Sequence, residues 1–397
     1  MSEIKERMSG NEAVAFAMKQ VNPDVMPAFP ITPSTELPQF VSTYIANGEM
    51  DTEFIPVESE HSAMSCAIGA EAAGARTMTA TSSAGLALMW EMLYVAASDR
   101  LPITLACVNR AMSGPLNINC EHSDSMGARD AGWIQIYAEN NQEAYDNFIQ
   151  AFPIGEDVRV QLPVMICQDG FITSHAVENI SLIDDASVKK FVGEYEPKHY
   201  LLNEKETMAV GPYAVTNYGM EAKRGHAQGM INAKEVILEV AKKFEKMTGR
   251  KYGFYEGYML DDAEFAVVAI GSACGTIKDA IDELRAKGVK AGLLKVRVFR
   301  PFPGAEFAKA LAGCKAIAVM DRAESYSANG GPLACEIGAA LFEAKCTAEY
   351  DRIVYGLNGR DLTVSDVKDI FANLQKLATK GKKANAPAYR YIGLREK

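Results

Sequence analysis

Four groups of residues have the types and spacing to do chemistry. In PAFPITPSTELPQF, Thr32 stands before Pro33. Threonine at an N-cap with proline at the first helical position predicts a helix that begins directly after a strand and turns free N–H groups toward an anion. Any capped strand-to-helix turn shares that spacing, so on its own it names no ligand. The string VESEHSAMSCAIGAEAAGA sets Glu58 and Glu60 between a strand end and a helix built almost wholly of small residues. A carboxylate there suits hydrogen bonding and proton transfer to a bound group; equally, it can be a first-turn acid on a helix dipole. Arg110 ends the apolar run LPITLACV and opens the loop NRAMSGPLNINCEHSDSMGARD. Its guanidinium can pair with a ligand's carboxylate or phosphate, or with Asp124 or Asp130 of its own loop. His61 and His122, the last group, lack an H-x-x-x-H or H-E-x-x-H partner, so no metal site is expected.

Other chemistries find no support. The turns TSSAGLAL (81–88) and IGSACGT (270–276) fit neither G-x-G-x-x-G nor the phosphate-binding G-x-x-x-x-G-K-[ST], which speaks against a stand-alone nucleotide-dependent dehydrogenase. G-x-S-x-G is absent, so a serine hydrolase has no nucleophile elbow.

The elements that must position these residues follow from the hydrophobic pattern. Up to about residue 170, short apolar runs alternate with helical stretches, the rhythm of a doubly wound parallel sheet. Ser9 and Glu12 form a capping box before a first helix, and strands are expected at VMPAF, 54–57, 76–81, 101–108, 133–138 and 159–167. Helices are expected near 60–74, 84–98 and 142–152. From about 185 to 262 the chain turns polar and tyrosine-rich, a connecting region with one amphipathic helix at 231–249. A second α/β unit follows, with strands at 265–271, 290–299, 315–321 and 352–357 and a last helix capped by Thr363 and Asp366. The division is 1–255, 256–380 and a basic tail, 381–397. With 397 residues, 48% of them apolar and 23% charged, the chain is long enough for two or three packed domains.

Lysine and arginine number 41 against 51 for aspartate and glutamate, and the net charge of −10 repels nucleic acid and anionic membranes. No apolar stretch has the length of a signal peptide or membrane span, so a cytoplasmic location is expected. The 8 cysteines are scattered, without C-x-x-C, and read as reduced core residues rather than ligands of a metal or cluster.

FPITPST, ESEHSA with its small-residue helix, Arg110 with SGPLNINCEHSDSMGARDAGW, VRVFRPFP, DRAES and YGLNGRDLT occur in an order that resembles the alpha subunit of the pyruvate:ferredoxin oxidoreductases, within the 2-oxoacid:ferredoxin oxidoreductase family. The resemblance implies a thiamine-diphosphate pyrimidine-binding-type doubly wound domain followed by an α/β domain like the C-terminal domain of transketolase. It implies oxidative decarboxylation of pyruvate with coenzyme A to acetyl-CoA, with electrons passing to ferredoxin. By the same resemblance Glu60, rather than Glu58, holds N1′ of the cofactor's aminopyrimidine with Pro30 and Ile31 beside it, and Thr32 and Arg110 contact the substrate.

Thiamine enzymes hold the diphosphate and its magnesium with G-D-G and a later asparagine, and the nearest string here, Gln168-Asp169-Gly170, has no such asparagine. The resemblance therefore implies that thiamine diphosphate is shared with a beta subunit, and that Mg2+ and the iron–sulfur clusters sit on partners: beta, gamma and a ferredoxin-like delta subunit. Residues 63–74 and the loop 110–129 are the expected contact. A branched-chain 2-oxoacid or 2-oxoglutarate is the alternative substrate, and a non-catalytic scaffold subunit is a third reading.

Overall fold

The computed structural model describes residues 4–381 and 387–395; the expected tail, 381–397, lies partly outside the described residues. The first unit comprises β1 (Ile4–Ser9), α1 (Gly10–Val21), β2 (Val25–Ala28), α2 (Glu36–Ala46), β3 (Glu53–Pro56), α3 (Glu60–Ala73), β4 (Met78–Thr81), α4 (Ser83–Leu88), α5 (Trp90–Ser98), β5 (Thr104–Asn109), α6 (Ser123–Gly127), β6 (Ile134–Tyr137), α7 (Asn141–Gly155), β7 (Val164–Asp169), β8 (Val177–Leu182) and α8 (Asp185–Val192). The capping box before α1 is closed, with Ser9 N–H donating to Glu12 Oε2 at 2.7 Å and Glu12 N–H to Ser9 Oγ at 3.2 Å.

Strands β6, β7, β5 and β4 lie parallel in that order, and the parallel pair β2–β3 joins them through a bridge between Val25 and Thr77. The carboxyl ends of β2, β3, β4 and β5 therefore open on one edge of the sheet. Residues 30–33, 58–60, 82–85 and 110 all follow those ends, where open α/β sheets bind ligands.

The long helix α9 (Gly219–Thr248) leads to the second unit: β9 (Tyr255–Tyr258), β10 (Phe265–Ile270), α10 (Ala273–Arg285), β11 (Ala291–Val296), β12 (Val298–Arg300), α11 (Gly304–Leu311), β13 (Ala316–Asp321), α12 (Pro332–Glu343), β14 (Glu349–Val354), α13 (Val364–Lys380) and β15 (Arg390–Tyr391). Its sheet runs β15-β14-β13-β10-β11-β9, with β9 antiparallel. Thr363 caps α13 with Asp366 as expected.

Five expectations change. The helix expected at 84–98 is two helices, because the backbone at Met89 (φ −89°, ψ 11°) leaves the helical region while its side chain is fully buried. The strand expected at 159–167 begins only at Val164, after a turn in which Gln161 takes a positive φ of 43°. The strand expected at 290–299 divides at Arg297, whose buried guanidinium turns to Asn147 Oδ1 (Nε, 2.8 Å) and lies over the Tyr252 ring at 4.8 Å. Its second part, β12, pairs antiparallel with β6, so the second unit contributes a strand to the first sheet. In the connecting region, the helix expected at 231–249 begins already at Gly219 and buries a stripe through Val236, Ile237, Val240 and Phe244, and α8 precedes it. Finally, Cys335 is exposed rather than in the core.

A second buried acid on α3, Glu71, ties the helix to the residue before β4. Glu71 Oε2 accepts from the backbone N–H (2.9 Å) and the hydroxyl of Thr77. Burial pushes its carboxyl up from 4.5 to about 8, against the opposing hydrogen bonds of Thr77 and Tyr195. Between those values the folded chain keeps a proton that the unfolded chain has lost, so this group's contribution is complete below 4.5 and fades as the pH rises toward 8. Glu71→Gln is expected to raise the melting temperature above pH 8 by a few degrees and to leave it nearly unchanged near pH 4.5. Calorimetry across that range checks this, and a pH-independent gap would count against it.

Candidate active site

Glu60 is the first residue of α3. Ser59 adopts an extended conformation at the N-cap and accepts from Ser62 N–H at 3.2 Å, which directs the next side chain back over the strand ends. Glu60 is 5% exposed, and its carboxylate has no hydrogen-bond partner among the described residues. It lies against Gly85 of α4 so closely that a Cβ there would sit 2.6 Å from Oε1, so glycine is required for this approach. The hydroxyls of Thr81 and Ser82, at the end of β4, are likewise buried without partners. Buried polar groups are normally paired, so these two orphaned hydroxyls, beside a carboxylate with no partner among the described residues, mark a place for a polar ligand. Glu58 has a different fate: it is exposed and accepts from Ser62 Oγ at 2.5 Å, which lowers its pKa.

Thr32 is not an N-cap. Helix α2 starts at Glu36, and residues 31–34 form a turn in which the Ile31 carbonyl accepts from both Ser34 N–H and Ser34 Oγ at 2.8 Å. Asn11 Nδ2 takes the Pro33 carbonyl at 2.9 Å, so that carbonyl is turned toward α1 rather than along a helix. Pro30 and Thr32 are exposed and Ile31 is half-buried at this turn. The turn meets Arg110, whose Nη1 donates to the Thr32 carbonyl at 2.9 Å while Nε donates to the Asn117 carbonyl at 3.1 Å. Nη2 has no partner among the described residues. The ion pair with Asp124 or Asp130 does not form: Asp124 accepts Arg110's backbone N–H at 3.0 Å, and Asp130 lies near Arg129 and Arg300.

Two contributions were not expected: the backbone role of Asp124, weighed only as an ion-pair partner of Arg110, and Ser83. Asp124 is buried and takes N–H groups from both Arg110 and Ser83 at 3.0 Å, which ties the end of β5 to the start of α4. Burial raises its pKa, against those hydrogen bonds. Ser83 has a positive φ of 46°, a strained conformation of the kind that clusters at functional sites. An acid among several in a polar loop carries no sequence signal, and a strained serine carries none either.

His122 and Asp169 meet below this edge. Asp169 Oδ1 lies 2.7 Å from His122 Nε2, while Oδ2 accepts from Ser272 N–H at 3.0 Å, from Ser272 Oγ at 2.5 Å and from Arg322 Nη1 at 3.1 Å. Burial alone would raise its pKa, but the adjoining His122 and Arg322 hold it below the ordinary 3.8. Cys120, His122 and Asp169 bring their ligand atoms within 4.8 Å of one another, yet Arg322 already supplies Asp169 with positive charge, which disfavours a metal ion there. Both oxygens of Asp169 are engaged within the chain.

Residues 16–242 match the family model described as pyruvate flavodoxin/ferredoxin oxidoreductase, thiamine diphosphate-binding, and residues 263–367 match the pyruvate:ferredoxin oxidoreductase core domain II. The chain belongs to the pyruvate:ferredoxin oxidoreductase family. It is 48% identical over 398 residues to pyruvate synthase subunit PorA of Thermotoga maritima, covering 100% of both chains. It is 43% identical to ketoisovalerate oxidoreductase subunit VorA of Pyrococcus abyssi, covering 96% of this chain and 95% of that one. Among solved structures it superposes on the 2-oxoglutarate:ferredoxin oxidoreductase of Magnetococcus marinus with a TM-score of 0.71 at 20% identity, covering 93% of this chain and 65% of that one. A split-gene transketolase matches with a TM-score of 0.57 at 13% identity, covering 94% and 99%. The fold is thus the thiamine-enzyme arrangement of a pyrimidine-binding-type domain followed by a transketolase C-terminal-like domain.

Against that family's cofactor, the residues present fit one end. The partnerless Glu60 carboxylate over Gly85, with the unpaired hydroxyls of Thr81 and Ser82, suits the polar edge of an aminopyrimidine. Asp169, the nearest counterpart of a diphosphate-holding aspartate in the sequence, is committed to His122, Ser272 and Arg322. Among the described residues no helix is long and apolar enough to cross a membrane.

Proposed function

We propose that this chain is the alpha-type subunit of a thiamine-diphosphate-dependent pyruvate:ferredoxin oxidoreductase, acting in a complex that converts pyruvate and coenzyme A to acetyl-CoA and carbon dioxide and passes two electrons to ferredoxin. The observation that carries this reading is the buried, unpartnered Glu60 carboxylate at the edge that also holds Thr32 and Arg110. The full-length identity of 48% to a pyruvate synthase subunit supports the substrate assignment.

Bound thiamine diphosphate supplies the carbanion chemistry that pyruvate decarboxylation requires. In this reading Glu60 would hold the cofactor's aminopyrimidine through a hydrogen bond at N1′, and Pro30 and Ile31 would contact the same ring. Arg110 offers its free Nη2 to the carboxylate of pyruvate, and the Thr32 side chain stands beside the keto oxygen. The chain is expected to meet a beta subunit carrying the diphosphate site with Mg2+ and a cluster, and gamma and ferredoxin-like delta subunits complete the path to ferredoxin. The small-residue helix 63–74 and the loop 110–129 are the surfaces assigned to that contact.

The test is pyruvate- and coenzyme-A-dependent reduction of a low-potential dye by the assembled complex. The 43% identity to a ketoisovalerate oxidoreductase subunit makes 2-oxoisovalerate the competing substrate. A kcat/KM favouring it over pyruvate would move the assignment to a branched-chain enzyme. Arg110→Lys is expected to raise KM for pyruvate by about 10- to 100-fold, because a lysine cannot hold the Thr32 and Asn117 carbonyls and a carboxylate at once. An unchanged KM would remove Arg110 from substrate binding.

A further inference from the structure

The loop that carries Arg110 is anchored from the second unit. Its tip is open to solvent, with Leu116 76% and Ile118 45% exposed. Its own support is slight: Ala111 N–H to the Asn119 carbonyl (3.0 Å), Asn119 N–H to Asn117 Oδ1 (2.7 Å) and Met112 N–H to Ser123 Oγ (3.0 Å). At its base Ser83 Oγ of α4 donates to the Ala111 carbonyl at 2.5 Å, and two further anchors come from the turn after β14. Asn117 Nδ2 donates to the Asn358 carbonyl at 3.2 Å, and Asn358 N–H donates to Glu121 Oε2 at 2.8 Å.

Asn358 presents both peptide groups to the loop because it is left-handed (φ 53°, ψ 31°), a conformation that asparagine tolerates better than most residues. Gly356 (φ 64°) and Gly359 (φ 79°) make the turn possible, and a Cβ on Gly359 would run into the side chain of Asn119. Next to it, His122 N–H donates to the Arg322 carbonyl at 2.8 Å.

The consequence reaches Arg110, since Asn117, held through its side chain by Asn358, also accepts from Arg110 Nε through its carbonyl. We infer that the turn 356–359 of the second unit is a clamp that positions the Arg110 guanidinium through Asn117 and Glu121, an inference that rests on the reading of Arg110 as the carboxylate-binding group. The second unit thereby sets affinity for the 2-oxoacid without touching it. Without the clamp, Asn117 and the Arg110 Nε bonded to it would be held less firmly, and ordering them at each binding event would appear as lost affinity.

In the assembled complex, Glu121→Ala is expected to raise KM for pyruvate about 10-fold while kcat and KM for coenzyme A stay within about 2-fold. Glu121→Gln keeps an acceptor for Asn358 N–H and restores most of the affinity. Amide exchange over 112–119, measured without substrate, speeds up in Glu121→Ala. Gly359→Ala, which forces the turn away from Asn119, moves KM in the same direction and decides the matter should Glu121→Ala fail to assemble. If Arg110→Lys raises KM but Glu121→Ala and Gly359→Ala do not, the clamp is overturned and the carboxylate reading stands. If Arg110→Lys leaves KM unchanged, both fall.

Discussion

Glu60→Gln is expected to reduce turnover of the assembled enzyme about 1,000-fold, within the range that a positioned acid–base group contributes. Glutamine matches the shape of glutamate and so still fits over Gly85. Glu60 makes no hydrogen bond among the described residues, so replacing its carboxylate leaves no donor stranded and should not lower stability. Loss of activity with intact assembly and clusters would therefore report on chemistry rather than on folding. An amide can still accept from a ring nitrogen, but it cannot balance a positive charge there, so the variant should retain bound cofactor while turning over slowly. The assay is pyruvate- and coenzyme-A-dependent dye reduction, with cofactor content measured on the same preparation. Activity within about 2-fold of wild type would return the chain to a scaffold role.

The site was more legible than the path of the chain around it. Thr32, Glu60 and Arg110 could be picked out because each follows an apolar run that ends in a turn, and parallel strands place such turns on one edge. The helical role assigned to Thr32 was wrong because a threonine–proline pair also fits a turn, and the contact that decides between them, Asn11 with the Pro33 carbonyl, spans 22 residues. Strand β12 was hidden for a similar reason. KAGLLKVRVF is one continuous apolar pattern, and its division between two sheets depends on where Arg297 finds partners, at Asn147 and Tyr252. Strand β1 is so polar (IKERMS) that no periodicity announces it; its order comes from pairing with β8. The pattern reports which face of an element is buried, but not which neighbour buries it.

That limit bears most on Asp169, which sequence reasoning weighed only as a failed diphosphate motif. Asp169→Ala is expected to cost about 3–5 kcal/mol, the penalty for breaking a buried charge pair and leaving one partner behind. Arg322 and His122, 5% and 2% exposed, would lose their carboxylate, and the Ser272 hydroxyl and N–H would lose their acceptor. Because Asp169 ends β7 while Ser272 and Arg322 belong to the second unit, the loss falls on the contact between the units. It should therefore also loosen residues 112–122, where His122 N–H meets the Arg322 carbonyl. Since the folded-state pKa of Asp169 lies below 3.8, its contribution is complete above that value and disappears only as the pH falls further. Wild type should accordingly lose stability more steeply in acid than the alanine variant, and the two curves should converge there. Chemical denaturation at neutral and acid pH measures both quantities. A neutral-pH difference below about 1 kcal/mol would mean that solvent or rearrangement satisfies Arg322, and that the two units are held together elsewhere.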